Sequence, residues 1–435
     1  MTRTIPWMTV LWVSAANPAA AQQGGVIGGG GVYVDAAGVL RAREVDGSDR
    51  LDRSRRDRSK AGRRADSICY ISLPRLFDLV KAQAAAGSNI DSDLRYLDGM
   101  VKLTHIFAFP DEKDLVIAGP AEPYDAASGP RPVGQDTGRP VLRLDDLVVA
   151  LRTVGPGRPT KVFGCSLDLE PAATGRLQST AARIGAVARG QYSGAARRLI
   201  NAVGPQHVRY FGVQPDTPFA FVCIEADYLL KRLALGLARP PIPGFKSHMS
   251  LLGPGEGVYH RFWFTADYEP LLISADGLAF EIRGQGLRVQ ASNSRTGDAG
   301  AAISAVKFAE QFSRDFPRLA ETVGSFADLW NLADLAVLAA LIDTDGLAAK
   351  CNWDLDWVLD GNGYPVPQVT VPKTAEALGN YKVVSKKLLF AAGGVSFDMQ
   401  STVAKRNSQA PAAAGLRSQA RRPKPGQWSL RTSPE

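Results

Sequence analysis

Cysteine and histidine are scarce in this 435-residue chain, four of each, and that scarcity removes several chemistries at once. Cys69, Cys165, Cys223 and Cys351 are widely spaced, with no CxxC pair and no Cys/His spacing of a zinc site. His105, His207, His248 and His260 lie outside chelating spacing of one another, and no HExxH motif occurs. No serine sits in a GxSxG elbow, since the string Gly164-Cys-Ser166 lacks its second glycine. The glycine run that ends at Gly31 opens no helix and is therefore no dinucleotide loop. Apolar runs that read as a bilayer span are missing too. Trp7 to Val13 is too short, and the strongly apolar stretch Phe326 to Ile342 carries Asp328 and Asp334, which marks it as a buried core helix. The sequence predicts no transmembrane span.

Even the net charge of +8 is less than it looks. Arg41 to Arg64 holds ten Lys/Arg against five Asp/Glu, and seven Lys/Arg follow Met399 against only Glu435. These two polar stretches carry more positive charge than the whole chain's net, leaving a body close to neutral. Such stretches are expected to be solvated and disordered. They give no specific nucleic-acid signature, and their expected partner is an envelope or extracellular component, an anionic one included.

What is present begins with an export pattern. Arg3, the apolar run Trp7 to Val13 and Ala19 to Ala21 before Gln22 have the order of a cleavable secretory signal, predicting 1–21 as a signal peptide and a periplasmic or extracellular location. No cysteine follows the cleavage point, so a lipid anchor is not supported. An oxidising compartment would allow two disulfides in three connectivities, while the apolar surroundings of the cysteines equally suit buried free thiols.

Residues 22–66 read as a Gly-rich spacer, a small hairpin (Val32 to Asp35 with Val39 to Arg43) and the basic linker. Residues 67–204 read as an N-terminal α/β part. Ile68 to Ile71 forms a strand, Ser72 caps a helix through Leu76, Phe77 and Val80, and strands follow within Val101 to Phe109 and Leu115 to Ala118. Gly119 to Pro140, with five prolines, is a long loop. Leu144 to Leu151 is a helix, Thr160 to Cys165 a strand, and Thr180 to Leu199 one helix. Residues 205–400 read as a strand-rich centre (Val208 to Val213, Phe219 to Glu225, Arg261 to Thr265, Leu271 to Ser274, Ala279 to Arg283, Leu287 to Gln290), then helices Ile303 to Phe312, Phe316 to Val323 and Phe326 to Ile342. Residues 401–435 form the basic tail. The expected fold class is α+β, a mixed α/β body with a strand-rich centre and flanking helices. Ala226-Asp-Tyr228 and Ala266-Asp-Tyr268 each follow an apolar run, a weak hint of repetition.

The block FVCIEADYLLKRLALG, from Phe221 to Gly236, resembles a family of exported, planctomycete-type bacterial proteins known only as a domain of unknown function. The similarity extends to Val116 to Glu122, Arg139 to Val149 and Trp330 to Ile342. The resemblance implies export and one shared architecture. It implies no activity, cofactor or catalytic residue.

Four groups of residues carry the chemistry that remains. If a strand ends at Glu225 and a helix starts after Asp227, then Glu225, Asp227 and Lys231 converge at a strand-to-helix junction, where α/β proteins often bind ligands. Acid–base catalysis by such carboxylates is one reading, and a cap at Asp227 with Lys231 one turn on is the other. His260, beside Arg261 and near Glu256, fits a general base or a surface histidine at a strand entrance. Asp343 and Asp345, and Asp360 and Asn362, have the spacing of partial calcium loops without the distal Glu, which Asx turns also explain. Trp263, and Trp353 with Trp357, suit either a sugar-stacking face or packing, the second pair being the better ligand face. The leading expectation is a non-enzymatic binding or scaffold protein of the cell envelope. The alternatives are an exported hydrolase using carboxylates near Glu225 and Asp227, and a calcium-stabilised adhesion protein.

Overall fold

Two mixed sheets share one hydrophobic core in the computed structural model, which describes residues 32–42 except 36, 67–126, 131–253 except 186 and 189, 256, 259–292, 302–382 and 387–432. The signal expected over 1–21 and the basic linker ending at Arg64 lie outside the described residues. In chain order the strands are β1 (Val32–Val34), β2 (Val39–Ala42), β3 (Ser67–Ser72), β4 (His105–Phe109), β5 (Asp114–Ala121), β6 (Val162–Leu169), β7 (Gln206–Phe211) and β8 (Tyr259–Asp267). They continue with β9 (Leu271–Ile273), β10 (Ala279–Glu281), β11 (Gly286–Ser292), β12 (Thr374–Ala375), β13 (Gly379–Lys382), β14 (Lys387–Asp398), β15 (Arg406–Asn407) and β16 (Ser429–Thr432). Helices longer than ten residues are α1 (Leu73–Ala85), α2 (Leu144–Val154), α3 (Ala173–Ile184), α4 (Tyr192–Val203), α5 (Pro218–Leu235), α6 (Ile303–Thr322) and α7 (Gly324–Thr344). The fold is α+β, as the sequence predicts.

The first sheet runs β1-β2-β12-β7-β6-β14-β8-β11, with β13 also on β14, and the second runs β15-β9-β10-β4-β5-β3-β16. The predicted hairpin forms, with Val32 opposite Ala42 and Asp35 Oδ1 accepting the Ala37 and Val39 amides across the turn. It joins the body, because β2 pairs in parallel with β12. Ser72 accepts the Arg75 amide as the cap of α1, and Pro74 lies in its first turn.

Strand alternation decides which face of the first sheet is core. On β8, His260, Phe262 and Phe264 are buried while Arg261, Trp263 and Thr265 on the other face are half-buried. The buried face meets α5, α6 and α7 through aromatic pairs, Phe163 with Phe219 (5.5 Å), Phe262 with Phe308 (5.1 Å), Phe264 with Phe312 (5.7 Å) and Phe264 with Phe326 (5.8 Å). Each fully buried Phe stabilises the fold by about 2–3 kcal/mol before entropy is counted. Among the described residues α7 alone is long and apolar enough to cross a membrane, and its apolar window is wholly buried inside the protein.

Several local expectations are corrected. Phe219 to Glu225 is not a strand but part of α5, capped by Thr217, whose Oγ1 accepts the Ala220 amide, and stopped by left-handed Gly236 (φ 69°). A helix buried on nearly every side has no amphipathic period, so its apolar run reads like a buried strand. This also dissolves the apparent repeat, since Ala226 to Tyr228 is helical while Ala266 and Asp267 end a strand. Thr180 to Leu199 is two helices, α3 and α4, with Gly185 (φ 59°) ending the first. The stretches Ile303 to Phe312 and Phe316 to Val323 are one helix, α6. Pro317 forfeits one backbone bond, but Phe312, Phe316, Leu319 and Ala320 are buried on either side of it and hold the helix together.

The C-terminal stretch is the largest correction. Of residues 401–435, expected as a solvated tail, 405–432 wrap the second sheet, and β16 completes its edge against β3, with Leu430 opposite Tyr70. Leu416 is fully buried in a cluster with Phe107, Val116 and Leu272. The basic residues find protein partners. Arg406 grips Asp345 with two bonds (2.7 and 2.9 Å), Arg417 donates to the Ala108 carbonyl (2.9 Å), and Arg431 pairs with Asp98 (2.7 Å).

Candidate functional site

Helix α5 carries three of the residues singled out in the sequence, and its geometry separates two of them. A strand would put Glu225 and Asp227 on one face, whereas in a helix residues two apart point about 200° from each other. Glu225 turns toward the proline-rich loop, where Arg131 Nη1 donates to its Oε2 (2.5 Å) and also contacts Asp328 of α7 (3.3 Å). Asp227 turns the other way and accepts from Lys231 one turn on, with both side chains fully buried. The predicted i,i+4 partnership of Asp227 and Lys231 is there, but the cap is Thr217 and the pair is not solvated. Burial pushes the Asp227 carboxyl up to about 6, against the pull of Lys231. Burial likewise lowers the Lys231 ammonium, with Asp227 opposing.

The loop that delivers Arg131 is held by a carboxylate. Glu122 Oε2 accepts the Asp136 and Thr137 amides (2.6 and 2.8 Å), and its other oxygen accepts from the Thr137 hydroxyl. A Cβ at Gly134 would overlap this carboxyl, so the close approach requires glycine. On α7, Asp328, Asn331 and Asp334 form a polar stripe at i, i+3, i+6 that answers this loop and its neighbours. Asp328 meets Arg131, Asn331 donates to the Pro140 carbonyl (3.0 Å), and Asp334 accepts from Tyr268 (2.7 Å). Arg139 and Lys102 both stack on Trp330 of the same helix. Burial raises Asp334 to about 6, and the Lys102 charge pulls it partly back. Beside this group Arg143 Nε donates to Asp146 (2.6 Å) and Tyr364 donates to Asp145 (2.5 Å). Buried polar groups arranged this way hold helices in register, because each loses its hydration and needs its partner.

His260 belongs to another group. It is buried on β8 against His248, ring centroids 4.6 Å apart, and His248 Nε2 meets the Ser304 hydroxyl (2.9 Å). Burial drives His248 down to about 3, helped by the nearby His260. Glu256 lies within electrostatic reach of His248. It accepts the Ser304 and Gly253 amides, which outweigh burial and hold it at about 2. The structure thus joins Asp227 with Lys231 and holds Glu225 and His260 each in a different group.

The partial calcium loops are similarly dispersed. Asp343 pairs with Lys161 (3.0 Å), Asp345 with Arg406, and Asp360 Oδ1 accepts the Asn362 amide in an Asx turn (3.0 Å). Among the described residues no three His, Cys, Asp or Glu side chains form a metal-binding group. All four cysteines are buried free thiols.

An open concavity lies elsewhere, at the edge of the first sheet. A groove of about 830 Å³ runs between β11 and α6, lined by Trp263, Asp267, Gln285, Arg288, Glu310 and Arg314 among others. Register places Trp263 opposite Gln290 on the face away from the core, and the indole N–H donates to Gln290 Oε1 (3.2 Å). Gln285 donates to Asp267 (2.5 Å). The Trp353 and Trp357 pair offers no such surface, since Trp353 is buried on Phe77 (5.6 Å) and Trp357 packs on Tyr364 (6.2 Å). The family described as "Protein of unknown function (DUF1598)" matches residues 165–248. The chain carries a domain of unknown function. No curated protein and no solved structure matches it. The matched stretch spans β6, α3, α4, β7 and α5, and so includes Glu225, Asp227 and Lys231 but stops short of the groove.

Trp263 stands out in the sequence but its groove does not, since the walls come from β8, β11 and α6. One signal was available. Arg288 and Gln290 alternate with buried Leu287 and Val289, marking a strand with one wet face.

Proposed function

We propose that this is an exported, non-catalytic binding protein of the cell envelope whose ligand seats in the groove between β11 and α6. The observation that carries the reading is the division of polar groups. The interior carboxylates Asp146, Glu225, Asp227 and Asp334 are buried, each with one oxygen held by Arg143, Arg131, Lys231 or Tyr268, while aromatic, amide and charged side chains meet at an open concavity. Binding sites place a few convergent polar groups beside an apolar surface, and this groove does so. No histidine or cysteine lines it, and Ser313 there spends its hydroxyl on the backbone of Val289 and Ala309 instead of on a base. The groove thus holds no Ser–His or Cys–His pair, and of its two carboxylates Asp267 already accepts from Gln285 (2.5 Å). Export rests on the signal-like order of residues 1–21.

A thermal-shift screen of the purified chain against saccharides, peptides and lipid headgroups tests the groove. Stabilisation by one class, lost in Trp263→Ala, is expected. Stabilisation that survives that substitution, or turnover of the ligand, contradicts it. For export, the mature chain recovered from cells should begin at Gln22, and a retained Met1 outside the cytoplasm would count against the cleavage.

A further inference from the structure

We infer that the groove between β11 and α6 takes a neutral saccharide. This rests on the reading of the protein as a binding module and names its ligand class. The formal charges of the lining cancel, two carboxylates (Asp267, Glu310) against two guanidinium groups (Arg288, Arg314), and no lysine is present. A polyanion gains no net attraction from such a surface, whereas a nucleic-acid or anionic-polymer site is basic throughout. Sugar hydroxyls donate and accept at once, and the groove offers both kinds of partner in planar form: guanidinium donors, carboxylate acceptors, and the amides of Gln285 and Gln290, which do both. Trp263, half-buried and with its N–H fixed on Gln290, supplies the apolar surface on which a pyranose ring can lie.

The competing occupant of a sheet edge is an extended peptide, and one bond opposes it. Strand addition needs the outward amide and carbonyl of the edge strand. At Val289, near the middle of β11, the amide already donates to Ser313 Oγ of α6 (2.9 Å), and the same side chain stands over the carbonyl oxygen (3.3 Å). A peptide would have to displace a helix side chain to pair there. A saccharide needs neither group. The volume of about 830 Å³ falls within the range of small-molecule sites and leaves room for several sugar units.

The test is titration calorimetry of the full purified chain with neutral oligosaccharides and with sulfated or uronic ones, at low and high salt. The expected result is binding of a neutral sugar whose affinity changes less than about twofold with salt. Trp263→Ala should weaken it by about tenfold or more. Arg314→Ala, an exposed change that spares the fold, should weaken it too, and Arg209→Ala on β7 should leave it unaltered. Three results overturn the inference: binding of anionic sugars alone with steep salt dependence, neutral binding indifferent to both groove variants, or no binding of any sugar. In the last case the peptide and lipid arms of the thermal-shift screen decide the binding-module reading separately. Cleavage of a bound sugar would instead sink the non-catalytic reading and keep the ligand class.

Discussion

Glu225 and Asp227, two residues apart, reach opposite sides of one buried helix, the first to Arg131 and the second to Lys231. Groups that share no partner should contribute independently to stability. Glu225→Gln and Asp227→Asn should each destabilise the protein, by about 1–3 kcal/mol. Their double variant should be additive within about 0.5 kcal/mol in urea unfolding. A coupling of several times that size would mean that the two carboxylates share one site after all.

Breaking the second pair from the cationic side should be costlier. Lys231→Met strands the buried Asp227 carboxylate at neutral pH, a loss of about 3–5 kcal/mol. Replacing both members with apolar residues should recover most of it. Equal instability in the single and double variants would argue against this account.

Two buried groups should pull the pH dependence in opposite directions. The folded-state pKa of Asp334, near 6, lies above its ordinary value of 3.8, so the stability linked to its proton is present below pH 3.8 and lost as pH rises through 6. Asp334→Asn, which keeps an acceptor for Tyr268, should therefore gain on the native protein by about 2–3 kcal/mol between pH 4 and pH 7. His248 is the reverse case, its pKa near 3 lying below the ordinary 6.5, and its contribution is lost as pH falls from 6.5 toward 3. His248→Gln should accordingly look worst at neutral pH and catch up in acid. Denaturation midpoints across that range check both signs.

Leu416 anchors the C-terminal wrap in the second sheet. Leu416→Ala should cost about 2–5 kcal/mol, a core-sized loss from a segment whose composition is that of a solvated tail. An effect below about 0.5 kcal/mol would show that the wrap contributes little.

The acidic pairs near the end of α7 and after it are engaged by Lys161, by Arg406 and by an Asx turn. Calcium or chelator should each move the thermal midpoint by less than about 1 °C. A chelator-sensitive fold would revive calcium stabilisation.

Local signals in the sequence went a long way. Ser72 and Pro74 mark the start of α1, alternation marks β8 and β11, and Asp328 with Asp334 mark α7 as a core helix and not a membrane span. What stayed hidden was what depends on partners distant in the chain. The apolar run of α5 has no period because neighbours bury it on nearly all sides, although Thr217-Pro218 and Gly236 bracket it as cap and stop. That one misreading placed Glu225 and Asp227 on a common face. The C-terminal arginines read as solvated because their acceptors, Asp345, Ala108 and Asp98, are sixty to more than three hundred residues away. The groove was illegible for a different reason: β11 and α6 are consecutive elements, separated only by residues 293–302, but how they pack against each other and against Trp263 of β8 is not written in their local patterns.

Hydrogen exchange of the purified chain, alone and saturated with a neutral oligosaccharide, tests the central claim most directly. The account predicts added protection confined to Trp263 and its neighbours on β8, Gly286–Ser292 and residues 306–314 of α6, with the buried charges of α5 and the Arg131 loop unchanged. Protection centred on α5 and that loop, with the groove unaffected, would contradict it and move the functional site to Glu225 and its neighbours.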